Sequence, residues 1–189
     1  MIIECKKLIQ LNPNDTALLN NLGNALQKLS KFDEAEKTYL KAIEINPSSS
    51  KVYLNYGNLL EKKNRDDVAI KMYNKSIELD PLQVESYSNL GHVYRKLGLE
   101  AYAEGIFNKA ITIDPNFAPA YFNLANLYYD NKQIEKAVFN YDNALKLDDT
   151  IEHLMGVTLF AHSRICDWTD RKDKLDKIIE KIDNKEKVI

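Results

Sequence analysis

The chain has 189 residues and a formal net charge of −2, with 44% hydrophobic and 29% charged residues. This balance argues against a nucleic-acid-binding protein, because neutralising phosphates requires a clustered basic surface. Apolar runs of only a few residues exclude a membrane-spanning helix, and the N-terminus lacks a secretory signal pattern. We therefore predict a globular cytoplasmic protein, and its 5 prolines and 6 glycines favour helices over turn-rich β-structure.

A period of 34 residues organises most of the sequence. Pro13, Pro47, Pro81 and Pro115 recur at that spacing, and each follows Asn or Asp. When Thr16 is counted as position 1 of the first repeat, position 8 is Gly or Ala and position 20 is Ala in every repeat. A fixed period of this length predicts stacked copies of one small structural unit.

The predicted elements follow in chain order. They are a partial repeat at 1–13, four full repeats at 16–49, 50–83, 84–117 and 118–151, and a helical extension at 152–189. The partial repeat matches only the second helix of a unit, which we interpret as a truncated repeat, with a short helical cap as the alternative. Cys5 and Cys166 lack metal-ligand spacing and are predicted to be reduced thiols.

Each repeat is predicted to be a hairpin of two helices. Positions 4, 7, 8 and 11 form an apolar stripe on the first helix, and positions 20, 24 and 27 form one on the second. The proline at position 32 ends the second helix. Asp149 replaces it in repeat four, which predicts a helix that either runs on or turns differently.

This pattern resembles the tetratricopeptide repeat over residues 16–151. The resemblance implies an all-α, right-handed superhelix, an α-solenoid whose first helices line a concave inner surface. One hairpin cannot bury its apolar face alone, and stacked neighbours bury it instead.

Two polar columns lie opposite the apolar stripe of the first helices. Position 6 is Asn21, Asn55, Asn89 and Asn123, and position 9 is Asn24, Asn58, His92 and Asn126. An amide offers two donors and two acceptor lone pairs, and can therefore hold the backbone of an extended peptide whatever its side chains are. We predict a peptide-binding ladder, and the open alternative is that these amides bridge adjacent helices and stiffen the stack.

Lysines flank the columns at position 13. Lys62 and Lys96 are predicted to steer acidic segments of a peptide toward the ladder, unless they serve solubility alone. Lys28 shares the column and Asp130 interrupts it. The two-carboxylate clamp known from some repeats of this kind is not supported, because its basic residues are missing at positions 5 and 6.

Residues 151–166 are predicted to form a helix that no longer follows the columns. Leu175, Ile178, Ile179 and Ile182 then predict an amphipathic helix that covers the open end of the solenoid or meets a missing domain. His153 and His162 are predicted to be surface or packing residues, and no metal site or cofactor is expected.

The asparagine ladder followed by Cys166-Asp167-Trp168-Thr169-Asp170 is similar to O-linked N-acetylglucosamine transferases and their bacterial relatives. The resemblance implies a substrate-recognition region that holds polypeptide. The chain itself is predicted not to be an enzyme, since it shows no strand pattern and no Gly-rich phosphate loop. Its expected partners are proteins or extended peptides. The alternative is a free-standing assembly scaffold, possible as a homo-oligomer through the solenoid ends.

Overall fold

The computed structural model describes residues 11–151 and 153–165, and all regular structure in these ranges is α-helical. The helices are α1 (Thr16–Lys28), α2 (Phe32–Ile45), α3 (Ser50–Lys62), α4 (Asp66–Leu79), α5 (Val84–Lys96), α6 (Glu100–Ile113), α7 (Ala118–Asp130), α8 (Ile134–Leu147) and α9 (Leu154–Arg164). The all-α prediction is confirmed.

The chain forms two compact units that meet in sequence between Leu97 and Gly98. In the first unit, α1 pairs with α2 and α3 with α4, while α3 also contacts α1 and α5. In the second unit, α7 contacts α6 and α8, and α8 contacts α9. Each helix thus packs against its sequence neighbours within its unit, as stacked hairpins do.

The second helices bury a small-large-small stripe, as predicted. Ala35, Tyr39 and Ala42 on α2 are fully buried. The tyrosine ring occupies a notch left by a glycine on the first helix. A Cβ atom added to Gly57 would lie 2.6 Å from Cε1 of Tyr73, and the geometry at Gly23 and Tyr39 is the same. The notch therefore requires the smallest residue in these two hairpins.

The second helices end at an Asn or Asp whose side chain accepts a hydrogen bond from the backbone two residues on. The pairs are Asn46 with Ser48 N, Asp80 with Leu82 N, Asp114 with Asn116 N and Asp148 with Thr150 N. Helix α8 ends at Leu147, the same repeat position as its counterparts, although Asp149 replaces proline. The shared side-chain turn therefore ends these helices, and the proline is not needed.

Helix α9 is shorter than predicted. It covers Leu154–Arg164 rather than residues 151–166, because His153 adopts a left-handed backbone conformation with φ of 63° before the helix begins. Leu154, Thr158 and Ala161 are buried along one side of this helix. Of the predicted partial repeat, residues 1–10 lie outside the described residues, as do Cys166-Asp167-Trp168 and the amphipathic segment at 175–182.

Among the helices that the structure describes, we find none with the length and apolar character needed to cross a bilayer. The cytoplasmic location expected from the sequence stays a prediction.

Candidate functional site

Repeat positions 2, 6, 9 and 13 of the first helices form a surface that we call the first-helix stripe. Its members in the first unit are all exposed or half-buried, and they are Ala17, Asn21, Asn24, Lys28, Lys51, Asn55, Asn58, Lys62, Glu85, Asn89, His92 and Lys96. The stripe exists because residues three and four apart share one face of a helix. The opposite face of the same helices carries buried residues such as Leu22 and Leu90.

Two position-6 amides connect neighbouring first helices. Asn55 donates from Nδ2 to Oδ1 of Asn20 at 2.9 Å, and Asn89 donates from Nδ2 to Oδ1 of Asn58 at 2.7 Å. These bonds join α3 to α1 and α5 to α3. In the described part of the chain, no other protein group bonds these two half-buried amides. Each is held in place by one N–H and keeps its carbonyl oxygen and second N–H for other partners.

The position-9 amides hold the two helices of one hairpin together. In each case a buried tyrosine of the second helix donates its hydroxyl to the amide oxygen. The pairs are Tyr39 with Asn24 at 2.6 Å, Tyr73 with Asn58 at 2.8 Å and Tyr141 with Asn126 at 2.6 Å. Asn58 Oδ1 therefore accepts bonds from both Tyr73 and Asn89. Burial raises the pKa of Tyr73 and Tyr39, which keeps both hydroxyls protonated donors.

His92 replaces asparagine in the column and pairs with a carboxylate. Its Nδ1 lies 2.8 Å from Oε1 of Glu61, and Tyr73 donates to Oε2 of Glu61 at 3.1 Å. Burial raises the pKa of the Glu61 carboxyl, but its bonds to His92 and Tyr73 and the charges of His92 and Lys96 outweigh burial and leave the pKa below its usual value. Glu61 is not among the site residues predicted from the sequence. The sequence does contain a hint of this pair: Glu61 and His92 are 31 residues apart, the same separation as the hydrogen-bonded Asn58 and Asn89.

The two predicted steering lysines differ in their surroundings. Lys96 is paired with Asp66 at 2.9 Å, so its charge is already neutralised within the protein. Lys62 is exposed and has no ion-pair partner in residues 11–151 and 153–165. Lys28 and Lys51 are likewise exposed and have no ion-pair partner in these ranges. Lys51 was not selected from the sequence, although its spacing of four residues from Asn55 places it on the same face.

The second unit presents a different surface on α7. Asn123 and Asn126 are half-buried there, and Asp130 stands where the first unit has lysine. Aromatic rings flank these amides: the Phe122 ring lies 6.1 Å from that of Tyr141, and the Tyr129 ring lies 6.2 Å from that of Phe160. The surface of α7 therefore combines these amides with an acidic residue and neighbouring aromatic rings.

Away from the stripe, the first unit carries an ion-pair network between α2, α3 and the start of α4. Glu36 accepts bonds from Tyr56 at 2.9 Å, Lys63 at 2.7 Å and Arg65 at 2.7 Å. Burial acts to raise the pKa of the Glu36 carboxyl, but these three bonds and the Lys63 charge lower it below its usual value. Burial and the Glu36 carboxylate raise the pKa of Tyr56 to about 12. These basic residues are occupied and cannot serve a ligand.

Comparison with known proteins agrees with this architecture. Models of the tetratricopeptide repeat match residues 17–49, 38–70, 57–98, 84–117 and 106–139. No curated protein sequence matches the chain significantly.

Several solved structures are similar. MamA is 24% identical, with a TM-score of 0.67, and the match covers 78% of this chain and 86% of MamA. YrrB, described as a TPR protein with an unusual peptide-binding site, is 20% identical, with a TM-score of 0.64 and coverage of 93% and 91%. PilF of Pseudomonas aeruginosa is 19% identical, with a TM-score of 0.76 and coverage of 93% and 78%. At these identities the similarity shows a shared fold, and the repeat matches show the family. The chain belongs to the tetratricopeptide-repeat family of protein-interaction modules.

Proposed function

We propose that the chain binds an extended polypeptide along the first-helix stripe, with asparagine amides pairing with the peptide backbone. The observation that carries the proposal is the state of Asn55 and Asn89. Each amide is oriented by one hydrogen bond to the neighbouring first helix, at 2.9 Å and 2.7 Å. Each retains one N–H donor and a carbonyl acceptor, the pair that a peptide C=O and N–H require.

The spacing of these amides suits an extended chain. Packed helices lie about 8–10 Å apart, and an extended peptide advances about 3.3 Å per residue. One amide therefore meets about every third residue of the ligand. Since each amide contact is made to backbone, affinity grows with the number of amides engaged, and this contribution is the same whatever the peptide's side chains are. That one similar structure, YrrB, is described as having a peptide-binding site agrees with this proposal.

The experiment measures binding of a labelled unstructured peptide by fluorescence anisotropy. Methylation of alternate backbone nitrogens in that peptide removes N–H donors without changing side chains, and we expect it to abolish binding. Asn55→Ala with Asn89→Ala should weaken binding about tenfold or more, because two hydrogen bonds per amide are lost. Unchanged affinity for the methylated peptide would show that the backbone is not what the chain recognises.

A matched variant separates ligand binding from stiffening of the stack. Asn20→Ser shortens the acceptor of the Asn55 bond and leaves the Asn55 amide itself in place. We expect this variant to lower the thermal midpoint while retaining most of the affinity. If it loses affinity as strongly as the double alanine variant, the amides act by holding the helices together, the alternative that the sequence left open.

We propose further that the module recognises substrates for a protein glycosyltransferase of the O-linked N-acetylglucosamine transferase type. The support is the asparagine column together with the Cys166-Asp167-Trp168-Thr169-Asp170 sequence. The decisive observation is the reading frame beyond residue 189, where two nucleotide-sugar-binding lobes are expected. A frame that encodes no such lobes would leave peptide binding intact and remove the glycosyltransferase proposal.

The assembly scaffold predicts a different solution behaviour. A scaffold that associates through its ends should grow in mass with concentration, whereas a peptide-binding module should stay monomeric. Light scattering over a range of concentrations distinguishes them, and we expect a constant monomer mass.

A further inference from the structure

The unpaired lysines of the first unit specify the kind of peptide that fits the stripe. We infer that the preferred ligand is an acidic extended peptide with carboxylate side chains three residues apart, held by Lys28 and Lys62. This inference rests on the proposed function and adds a substrate class to it.

The positions of Lys28 and Lys62 allow one ligand to reach both. Lys28 and Lys62 occupy the same repeat position at the ends of α1 and α3. These two helices contact each other directly, and the Asn55 to Asn20 bond fixes their register. Equivalent positions on packed helices lie about 8–10 Å apart. Three residues of a polyproline II chain, the extended conformation in which every third side chain lies on the same side, span about 9 Å, which matches that separation.

The positive charge on these two helices attracts an acidic ligand. Lys28, Lys51 and Lys62 are exposed and have no ion-pair partner within the ranges that the structure describes. Three cations on two adjacent helices therefore remain uncompensated beside the position-6 amides. Complementary charge on a ligand accelerates association and fixes its register, while a basic peptide is repelled.

The carboxylates of the same surface do not cancel this charge. Glu61 is engaged by His92 and Tyr73, and Asp66 is engaged by Lys96. Glu85 is exposed on α5, the first helix of the third repeat, and has no ion-pair partner among residues 11–151 and 153–165. The basic region is thus confined to α1 and α3, which limits the acidic segment of the ligand to a few residues.

The test uses the whole chain and labelled peptides of about twelve residues, long enough to span the three first helices of the unit. One peptide has two Glu residues three apart in a Gly, Ser and Ala background. In a second peptide both are Gln, in a third they are adjacent, and in a fourth they are Lys.

We expect the first peptide to bind about tenfold more tightly than the Gln peptide at about 25 mM salt, with most of the difference lost at about 0.5 M. The peptide with adjacent Glu residues should bind less tightly than the first, because both carboxylates cannot reach separate lysines.

Lys28→Glu with Lys62→Glu should reverse the preference, so that the Lys peptide binds best. The matched control is Lys37→Glu with Lys71→Glu. These lysines are also 34 residues apart, exposed and outside any ion pair of the described chain, but they lie on the second helices α2 and α4. The control should keep its affinity within about twofold, because exposed charges at a distance are screened.

Each alternative outcome is distinct. Equal binding of the Glu and Gln peptides, both lost on backbone methylation, would overturn the acidic preference and leave the proposed function standing. Equal loss in the control variant would show a general charge effect and also overturn it. If a short single-stranded oligonucleotide competes as well as the Glu peptide, the surface binds polyanions in general and the inference is wrong. If no peptide binds, both proposals fail.

Discussion

The first and second units are built from the same helix hairpin but present different side chains on their first helices. In the first unit the stripe combines amides with lysines such as Lys28 and Lys62, which have no ion-pair partner in the described parts of the chain. In the second, Phe122 and Tyr129 flank the amides, and Asp130 replaces lysine. The helices and their packing therefore tolerate very different surfaces, including a change of charge at position 13.

A hydrogen bond between the two helices of a hairpin is the same in both units. The bond from Tyr73 to Asn58 in the first unit recurs as that from Tyr141 to Asn126 in the second. Position 9 thus has a role inside the hairpin whatever binds outside. Position 6 differs, because Asn55 and Asn89 each use only one N–H toward the residues that the structure describes. This contrast singles out position 6 as the better candidate for contact with a ligand.

The largest loss of stability is expected at the notch, where the first unit has glycine and the second has alanine. Gly57→Val would place a branched side chain against the buried Tyr73 ring, 2.6 Å away, and should cost about 3 kcal/mol of unfolding free energy. At the same position the second unit has Ala125, fully buried on the hairpin that contains Tyr141. Ala125→Gly should cost only about 1 kcal/mol, through helix propensity. Urea denaturation measures both, and equal costs would mean that the notch in the first unit is not tight.

A smaller effect is expected at a buried hydroxyl pair. Ser76 Oγ lies 2.7 Å from Ser86 Oγ and donates to the carbonyl oxygen of Ser50 at 2.9 Å. Ser76→Ala should cost about 1.5 kcal/mol, because Ser86 keeps a buried hydroxyl without its partner. The double change to alanine should be nearly neutral, since the second unit has Ala110 and Ala120 at these repeat positions. A double-mutant cycle by thermal unfolding checks this, and additive losses would contradict it.

The smallest expected effect is a loss of folding stability at low pH that depends on Glu61. The pKa of Glu61 is below its usual value of 4.5, so the folded state favours the carboxylate. The resulting stability is present above pH 4.5 and is lost as the pH falls through the folded-state pKa. Glu61→Gln should flatten this part of the profile by about 1 kcal/mol. The second unit has Tyr129 at the same position, so the acid-sensitive amide protons should lie in the first unit. Hydrogen exchange as a function of pH measures this, and equal acid sensitivity in both units would contradict it.

The hairpins were predictable from sequence because their causes are local and repeated. Ala35, Tyr39 and Ala42 recur in equivalent form at a fixed period, and a helix places such residues on one face. The left-handed His153 was not predictable, since nothing in the neighbouring residues requires a break before α9. The sequence prediction relied on proline to end each second helix, so it did not identify the side-chain turn of Asp148 that follows α8.

The partners of the site were harder to predict than its position. The helical wheel predicts that Asn55 and Asn89 lie opposite the apolar stripe, and both are half-buried in the structure. The choice of Asn20 and Asn58 as their acceptors depends on how neighbouring repeats pack. The same holds for Lys96, whose neutralisation by Asp66 depends on contact between helices of different repeats. Side-chain pairing across repeats is a tertiary property and requires coordinates.

The most direct test of the account observes the side-chain amides themselves. In a nitrogen-15 NMR titration of the chain with the diglutamate peptide, the side-chain NH2 resonances of Asn55 and Asn89 should shift. Those of Asn74 and Asn108, exposed on second helices, should stay in place. The proposal that the Asn55 and Asn89 amides form hydrogen bonds with the peptide backbone would be contradicted by either of two results. One is shifts confined to Asn74 and Asn108, and the other is saturable binding with no shift at Asn55 and Asn89.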